Sequence, residues 1–241
     1  MSGESILRAV DFSGGRNSND AESLIGDNQA VDLQNINLLK RGFGKRRGNT
    51  AWNSSAMVSG STALAGGHYM KFNDGTEVLY GIAGTKIFTD RGLTGTMTDK
   101  TAALTITAGQ NNLWTGVSFN DLALFFGGAP DAPIKHDGTT GNAAALGGSP
   151  PSARTAFVAN NRVFACSTAA NPSLIQWCIL SDASDWTGAG SGNAHVSKND
   201  GEELLTGTPL NVGQAILWKN SSTHLMILQQ SLSSFPIYQL Q

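Results

Sequence analysis

The residues that could support catalysis or metal binding are thinly scattered along this chain. His68, His136, His195 and His224 stand singly, without an HxH, HxxxH or HExxH spacing, and Cys166 and Cys178 form no CxxC pair, so no zinc site is expected. No glycine-rich loop runs into Lys-Ser or Lys-Thr, and Gly127-Gly128 and Gly147-Gly148 lie among turn residues, so no nucleotide cradle is expected. A GxSxG elbow for a serine nucleophile does not occur. Asp121, Asp137, Asp185 and Glu203 are candidates for the paired carboxylates of glycoside cleavage, which sheets from separate repeats can bring together. The preferred reading is simpler: Asp121, Asp137 and Asp185 sit in turns, where a short carboxylate bonds its own backbone. The oxygen-rich stretches Asn73-Asp74-Gly75 and Asn199-Asp200-Gly201 lack the spaced carboxylates of a calcium loop and read as tight type I′ turns. The expectation is a protein without catalytic residues, metal or cofactor.

One charge run stands out. Lys40, Arg41, Lys45, Arg46 and Arg47 place five basic residues in eight, separated by Gly42 and Gly44. Such a segment can hold phosphate or a neighbouring protein surface, and only Phe43 interleaves with it, short of a stacking platform for single strands. Elsewhere charge is sparse: 14% of residues are charged, and the net charge of −2 with a pI near 6.0 argues against nucleic-acid or membrane adhesion over the whole surface. Neither an apolar leader nor an apolar run long enough for a membrane span is visible, so synthesis in the cytosol is expected.

The elements that would position these residues are strands. Residues 1–55 form an irregular arm, in which Asp27 or Asn28 can cap a short helix ending before Asn37. Residues 56–241 carry a repeat of strand, Asn/Asp/Gly turn, strand and looser third strand. Its turns fall at residues 73–76, 120–121, 160–161 and 211–213, and the second strands begin at Glu77, Leu122, Arg162 and Gln214. The spacings are roughly 45, 40 and 52 residues, the scale of a propeller blade. The predicted fold is all-β, a propeller-like array of about four antiparallel blades behind an irregular N-terminal segment. Cys166 and Cys178, each within an apolar strand, are expected as buried free thiols. Residues 235–241 read as a strand that opens, and an incomplete ring, a truncated chain or completion by another subunit is expected.

The order of motifs resembles the nozzle or tail-hub proteins of short-tailed phages. Gly14-Gly15-Arg16-Asn17 is followed by DNQAVDLQNI at 27–36 and by Lys45-Arg46-Arg47-Gly48, with Arg47 where proline is frequent. Lys135-His136-Asp137-Gly138, Asn160-Asn161-Arg162-Val163-Phe164, Ser181-Asp182 with Trp186, and Asp200-Gly201-Glu202 before 215–219 resemble the family's later turns and strands. The resemblance implies a structural virion protein, made in the host cytoplasm and resident in the tail. It implies a ring, of six copies, that continues the DNA channel below portal and adaptor, retains the packaged genome and conducts it at ejection without reading its sequence. Contacts with adaptor proteins and with a tail fibre or distal tail protein follow from it, and Lys40, Arg41, Lys45, Arg46 and Arg47 would meet a subunit, the adaptor or DNA. Arg162 and Lys219 are expected to help position blades. A propeller that binds or cleaves carbohydrate, with Trp114, Trp177, Trp186 and Trp218 as platforms, and a decoration or fibre-anchoring module are the alternatives.

Overall fold

The computed structural model describes residues 63–107, 113–197, 199–228 and 234–240, together with the backbone of residues 15–16, 29–30, 36–39 and 42–45. The chain divides into two compact units, Met1–Ala51 and Trp52–Gln241. In the first, β1 (Gly15–Arg16) pairs in parallel with β2 (Gln29–Ala30), and β3 (Ile36–Leu39) pairs antiparallel with β4 (Gly42–Lys45). The expected short helix is corrected here: Gln29 and Ala30 are in a strand, while Asp27, Asn28 and 31–35 lie outside the described residues. A helix of under ten residues is marginal on its own, and strand pairing satisfies the same backbone groups.

The second unit is all-β, with four antiparallel sheets of four sequence-consecutive strands among the described residues. The first sheet is β5 (Leu64–Lys71), β6 (Glu77–Ala83), β7 (Lys86–Arg91) and β8 (Thr98–Asp99). The second is β9 (Thr115–Phe119), β10 (Leu122–Phe126), β11 (Ile134–His136) and β12 (Ala144–Ala145). The third is β13 (Ala153–Ala159), β14 (Arg162–Thr168), β15 (Asn171–Trp177) and β16 (Gly192–His195). The fourth is β17 (Leu204–Asn211), β18 (Gln214–Lys219), β19 (Thr223–Ile227) and β20 (Ile237–Leu240). No helix among the described residues is long and apolar enough to cross a membrane.

Turn chemistry sets these hairpins. Asn120-Asp121 and Asn160-Asn161 hold positive φ at both positions (45° and 62°, 46° and 55°), the backbone of a type I′ turn that matches strand twist. The first hairpin departs from that expectation. Only Gly75 is left-handed there (φ 85°); its N–H donates to Phe72 O at 2.9 Å, and Asp74 accepts from Thr76 N at 2.7 Å. That is a type I turn with a glycine bulge, which needs one residue more than a two-residue loop.

Alternation along the strands produces three apolar layers between the four sheets. Val78, Tyr80 and Ile82 meet Ala123, Phe125 and Ile134 in the first. Leu124 and Phe126 meet Val163 and Ala165 in the second. Phe164, Cys166 and Trp177 meet Leu204, Leu217 and Met226 in the third. All seven residues of β14 are buried because sheets cover both its faces. The leading strands lie beside one another in sequence order, β5 by β9, β9 by β13 and β13 by β17, the arrangement of propeller blades. Among the described residues no comparable contact joins β17 back to β5. Residues 237–240 do not open a further repeat; they are the fourth strand of the fourth sheet, paired with β19.

Candidate functional site

Several polar side chains of the second unit bridge adjacent sheets. β5 and β9 are tied to each other near both ends, and β13 is tied to β17 through Thr155. Far from the turns, Trp114 N donates to Ala65 O at 2.9 Å, Thr115 Oγ1 to Arg154 O at 3.3 Å, and Thr155 Oγ1 to Leu205 O at 2.6 Å. Thr115 and Thr155 hold equivalent places: they pair with Phe126 and Cys166, each the fifth residue of its second strand. At the turns, Asp121 Oδ1 accepts from Asn73 N at 2.8 Å and Asn120 Nδ2 donates to Ser181 O at 2.7 Å. Ser181 N in turn donates to Asn161 O at 2.9 Å, and Asn161 Nδ2 donates to Ser181 Oγ. Close approach of leading strands requires glycine at three of them: a Cβ on Gly66 would stand 2.7 Å from Trp114 Cβ, one on Gly116 2.5 Å from His68 Cβ, and one on Gly207 2.3 Å from the Phe157 ring.

Two buried cations tie the third sheet to the fourth. Lys219 Nζ has no solvent exposure; it donates to Val196 O at 2.9 Å, Ser197 O at 3.3 Å and Asp200 Oδ1 at 2.5 Å. Asp200 is held below the usual carboxylate range by the hydrogen bond from Lys219 and by Glu202 N–H. Arg162 Nη1 donates to Cys178 O at 2.9 Å and Gly190 O at 2.6 Å, and its guanidinium carbon lies 5.9 Å from the centroid of the Phe235 ring. Burial lowers the affinity of that guanidinium for its proton.

The four candidate carboxylates are each engaged, Asp137 and Asp185 by their own turns and Asp121 and Glu203 by residues of the preceding repeat, and no two share a hydrogen-bond partner. Asp137 accepts from Thr139 Oγ1 at 2.7 Å and Thr139 N at 3.1 Å; Asp185 accepts from Gly188 N at 2.8 Å and Thr187 N at 3.0 Å. These donors hold both carboxyls below their ordinary range, the opposite of what a general acid needs. Glu203 accepts from Ser167 Oγ at 2.6 Å and pairs with Arg154 at 3.1 Å. Asp74 and Asp200, the acids of the oxygen-rich loops, are occupied by Thr76 and Lys219. Among the described residues no three of His, Cys, Asp and Glu are grouped to hold a metal.

The histidines are separate. His68 bonds Ser118 at 2.9 Å and His224 bonds Ser222 at 3.0 Å, with burial lowering the pKa of both rings. Cys166 and Cys178 are free, buried thiols in different apolar layers, and burial pushes Cys178 up to about 11. Of the candidate sugar platforms, Trp114, Trp177 and Trp186 are buried and Trp218 is exposed. In the basic run, Lys45 closes β4 opposite Ile36, and Lys40, Arg41, Arg46 and Arg47 lie outside the described residues. Sequence reasoning missed the paired threonines and Ser181. The signal was present in Thr115 and Thr155, which stand at one offset in successive repeats.

No family model matches the chain, and comparison with curated proteins gives no match. Among solved structures it is similar to a protein of unknown function from Dyadobacter fermentans DSM 18053, at 12% identity and a TM-score of 0.34. That similarity covers 71% of this chain and 50% of the other, so the chain spans half the length of that protein.

Proposed function

We propose that this protein is a non-catalytic structural subunit of a short-tailed phage tail, a nozzle or hub component that forms a ring, of six copies, below portal and adaptor. The observation that carries this reading is the use to which polar groups are put. Asp121, Asn120, Thr115, Thr155, Arg162 and Lys219 spend their hydrogen bonds joining sheets or fixing backbone. The order of motifs along the chain supports the family. In this reading the ring retains the packaged genome and passes it on without reading sequence. Lys40, Arg41, Lys45, Arg46 and Arg47 contact a neighbouring subunit, the adaptor or passing DNA, because stable rings need complementary surface patches.

Light scattering on the purified protein, alone and mixed with virion adaptor rings, tests this. A discrete ring, or adaptor-dependent assembly lost when Lys45, Arg46 and Arg47 are neutralised together, is the expected result. A monomer indifferent to adaptor overturns it. Exposed Trp218 and Tyr238, on one face of the fourth sheet, favour glycan binding as the second reading, which saturable binding by such a monomer would support.

A further inference from the structure

The outward face of the fourth sheet carries exposed aromatic rings, hydroxyls and no charge. Leu204, Ala215, Leu217 and Met226 fill the apolar layer against the third sheet, so alternation turns Ile216, Trp218, Leu225, Tyr238 and Leu240 to the other side. Trp218 is 41% exposed and Tyr238 58%. The only Lys, Arg, His, Asp or Glu residues of β17 to β20 are Lys219 and His224, and both are buried. Register sets Trp218 between Thr206 of β17 and Thr223 of β19, one hydroxyl residue on each flank, and sets Thr208 beside Ile216 in the next row. Tyr238 stands two strands and one row away from Trp218, about 12 Å by strand spacing and rise.

The threonine hydroxyls give an independent sign. Thr206 pairs with Trp218, the fifth residue of β18, and so repeats the places of Thr115 and Thr155. Those two hydroxyls reach a carbonyl of the next sheet. The Thr206 hydroxyl reaches only Gly207 O in its own strand, at 3.5 Å, longer than an O–H···O bond of ordinary strength. The hydroxyls of Thr208 and Thr223 bond no other group among the described residues. Three hydroxyls with capacity for a ligand therefore border the exposed aromatic rings of one uncharged face.

We propose that this face binds a neutral polysaccharide, a linked chain of pyranose sugars with equatorial hydroxyls. The faces of an aromatic ring carry negative potential, which attracts the polarised C–H groups on the flat side of a pyranose. Tryptophan and tyrosine make such a contact while losing little side-chain entropy. The hydroxyls of a stacked sugar project sideways, toward Thr206 and Thr223, whose bonds would fix its orientation. The separation of Trp218 and Tyr238 exceeds one sugar ring, so the ligand is a chain crossing the strands and not a single sugar. An acidic polysaccharide would find no cation on this face. The inference rests on the glycan-binding reading and names its site and ligand class; ring formation is a separate property.

Isothermal titration calorimetry of the full chain with cellohexaose, laminarihexaose, cellobiose and polygalacturonate tests it. At least one of the two hexaoses should bind saturably, cellobiose about tenfold more weakly because it cannot span both rings, and polygalacturonate not at all. Trp218→Ala and Tyr238→Ala should each weaken the hexaose about tenfold, with a thermal midpoint near wild type since both side chains are exposed. Thr206→Val should weaken it about fivefold while both rings remain. No binding of either hexaose, or equal binding of polygalacturonate, overturns the inference. Hexaose binding that survives both aromatic variants leaves the glycan reading standing and refutes this site alone. Sedimentation velocity supplies the competing outcome: self-association abolished by Trp218→Ala, without hexaose binding, would make the face a protein contact and would overturn the proposal.

Discussion

The Tyr80 hydroxyl of the first sheet lies 3.0 Å from Nδ1 of His136 in the second, across the apolar layer between them. Gly138 N–H donates to the same nitrogen at 3.0 Å, so Nδ1 carries no proton, and Nε2–H faces Gly141 O at 3.2 Å. The ring is therefore held neutral by two donors on one side and an acceptor on the other, and burial lowers its pKa.

Acid should weaken the fold through this histidine. A ring whose folded pKa lies below its unfolded value of 6.5 contributes full stability above pH 6.5 and loses it as pH falls below that value, because the unfolded chain takes up a proton that the native ring resists. His68 and His224 are shifted in the same direction. Urea titrations at pH 7.5 and 5.5 should show lower stability at the acid end, with His136→Gln flattening the dependence. Tyr80→Phe should cost about 1 kcal/mol at pH 7.5 while Gly138 keeps Nδ1 paired.

The junction glycines should not tolerate a methyl group. Gly207→Ala sets a carbon 2.3 Å from the buried Phe157 ring and is expected to destabilise by about 1–3 kcal/mol, through overpacking. Gly147→Ala is the contrast: its Cβ meets open space, and only the positive φ of 77° opposes it, at about 1 kcal/mol. Denaturant midpoints of the two variants should rank in that order.

Lys219 and Asp200 should respond asymmetrically. Asp200→Asn leaves a fully buried ammonium facing two carbonyls and an amide, whereas Lys219→Met removes the charge itself. The thermal midpoint should fall further for Asp200→Asn. For the pair in wild type, the depressed carboxyl keeps its contribution above the ordinary carboxylate pKa and loses it as pH falls through the lowered one.

Cys166 and Cys178 should be unreactive toward a thiol reagent in the native protein at pH 8, since both are buried and Cys178 is pushed up to about 11. Both should label on unfolding. Fast native labelling at either position would show that the layer around it opens.

Much of this architecture was legible from short-range patterns. Asn120-Asp121 and Asn160-Asn161 mark two-residue turns because few residues accept left-handed backbone, and the second strands begin where the sequence places them, at Glu77, Leu122, Arg162 and Gln214. The fourth strands were not legible in the same way. Thr98–Asp99 and Ala144–Ala145 are two residues long, too short for alternation to register, and exist because a neighbouring strand pairs with them. Gln29 and Ala30 carry acceptable helix propensity, and strand pairing overrode it. The role of Asp121 in a turn was visible, but its bond to Asn73 in another sheet depends on which turns become neighbours, a relation that spacing along one strand does not carry.

Asn120 and Asp121 are adjacent in sequence yet face opposite ways, one toward the third sheet through Ser181 and the other toward the first through Asn73. The hairpin they close is thus coupled to both neighbours, whereas the end sheets have one such neighbour each. Energetically the unit is a short one-dimensional array, in which cooperativity passes from sheet to adjacent sheet and loss of order starts at the ends. Amide exchange should therefore be slowest in β10 and β14 and reach β6 and β18 earlier, so that the outermost repeats fray while the middle pair still holds.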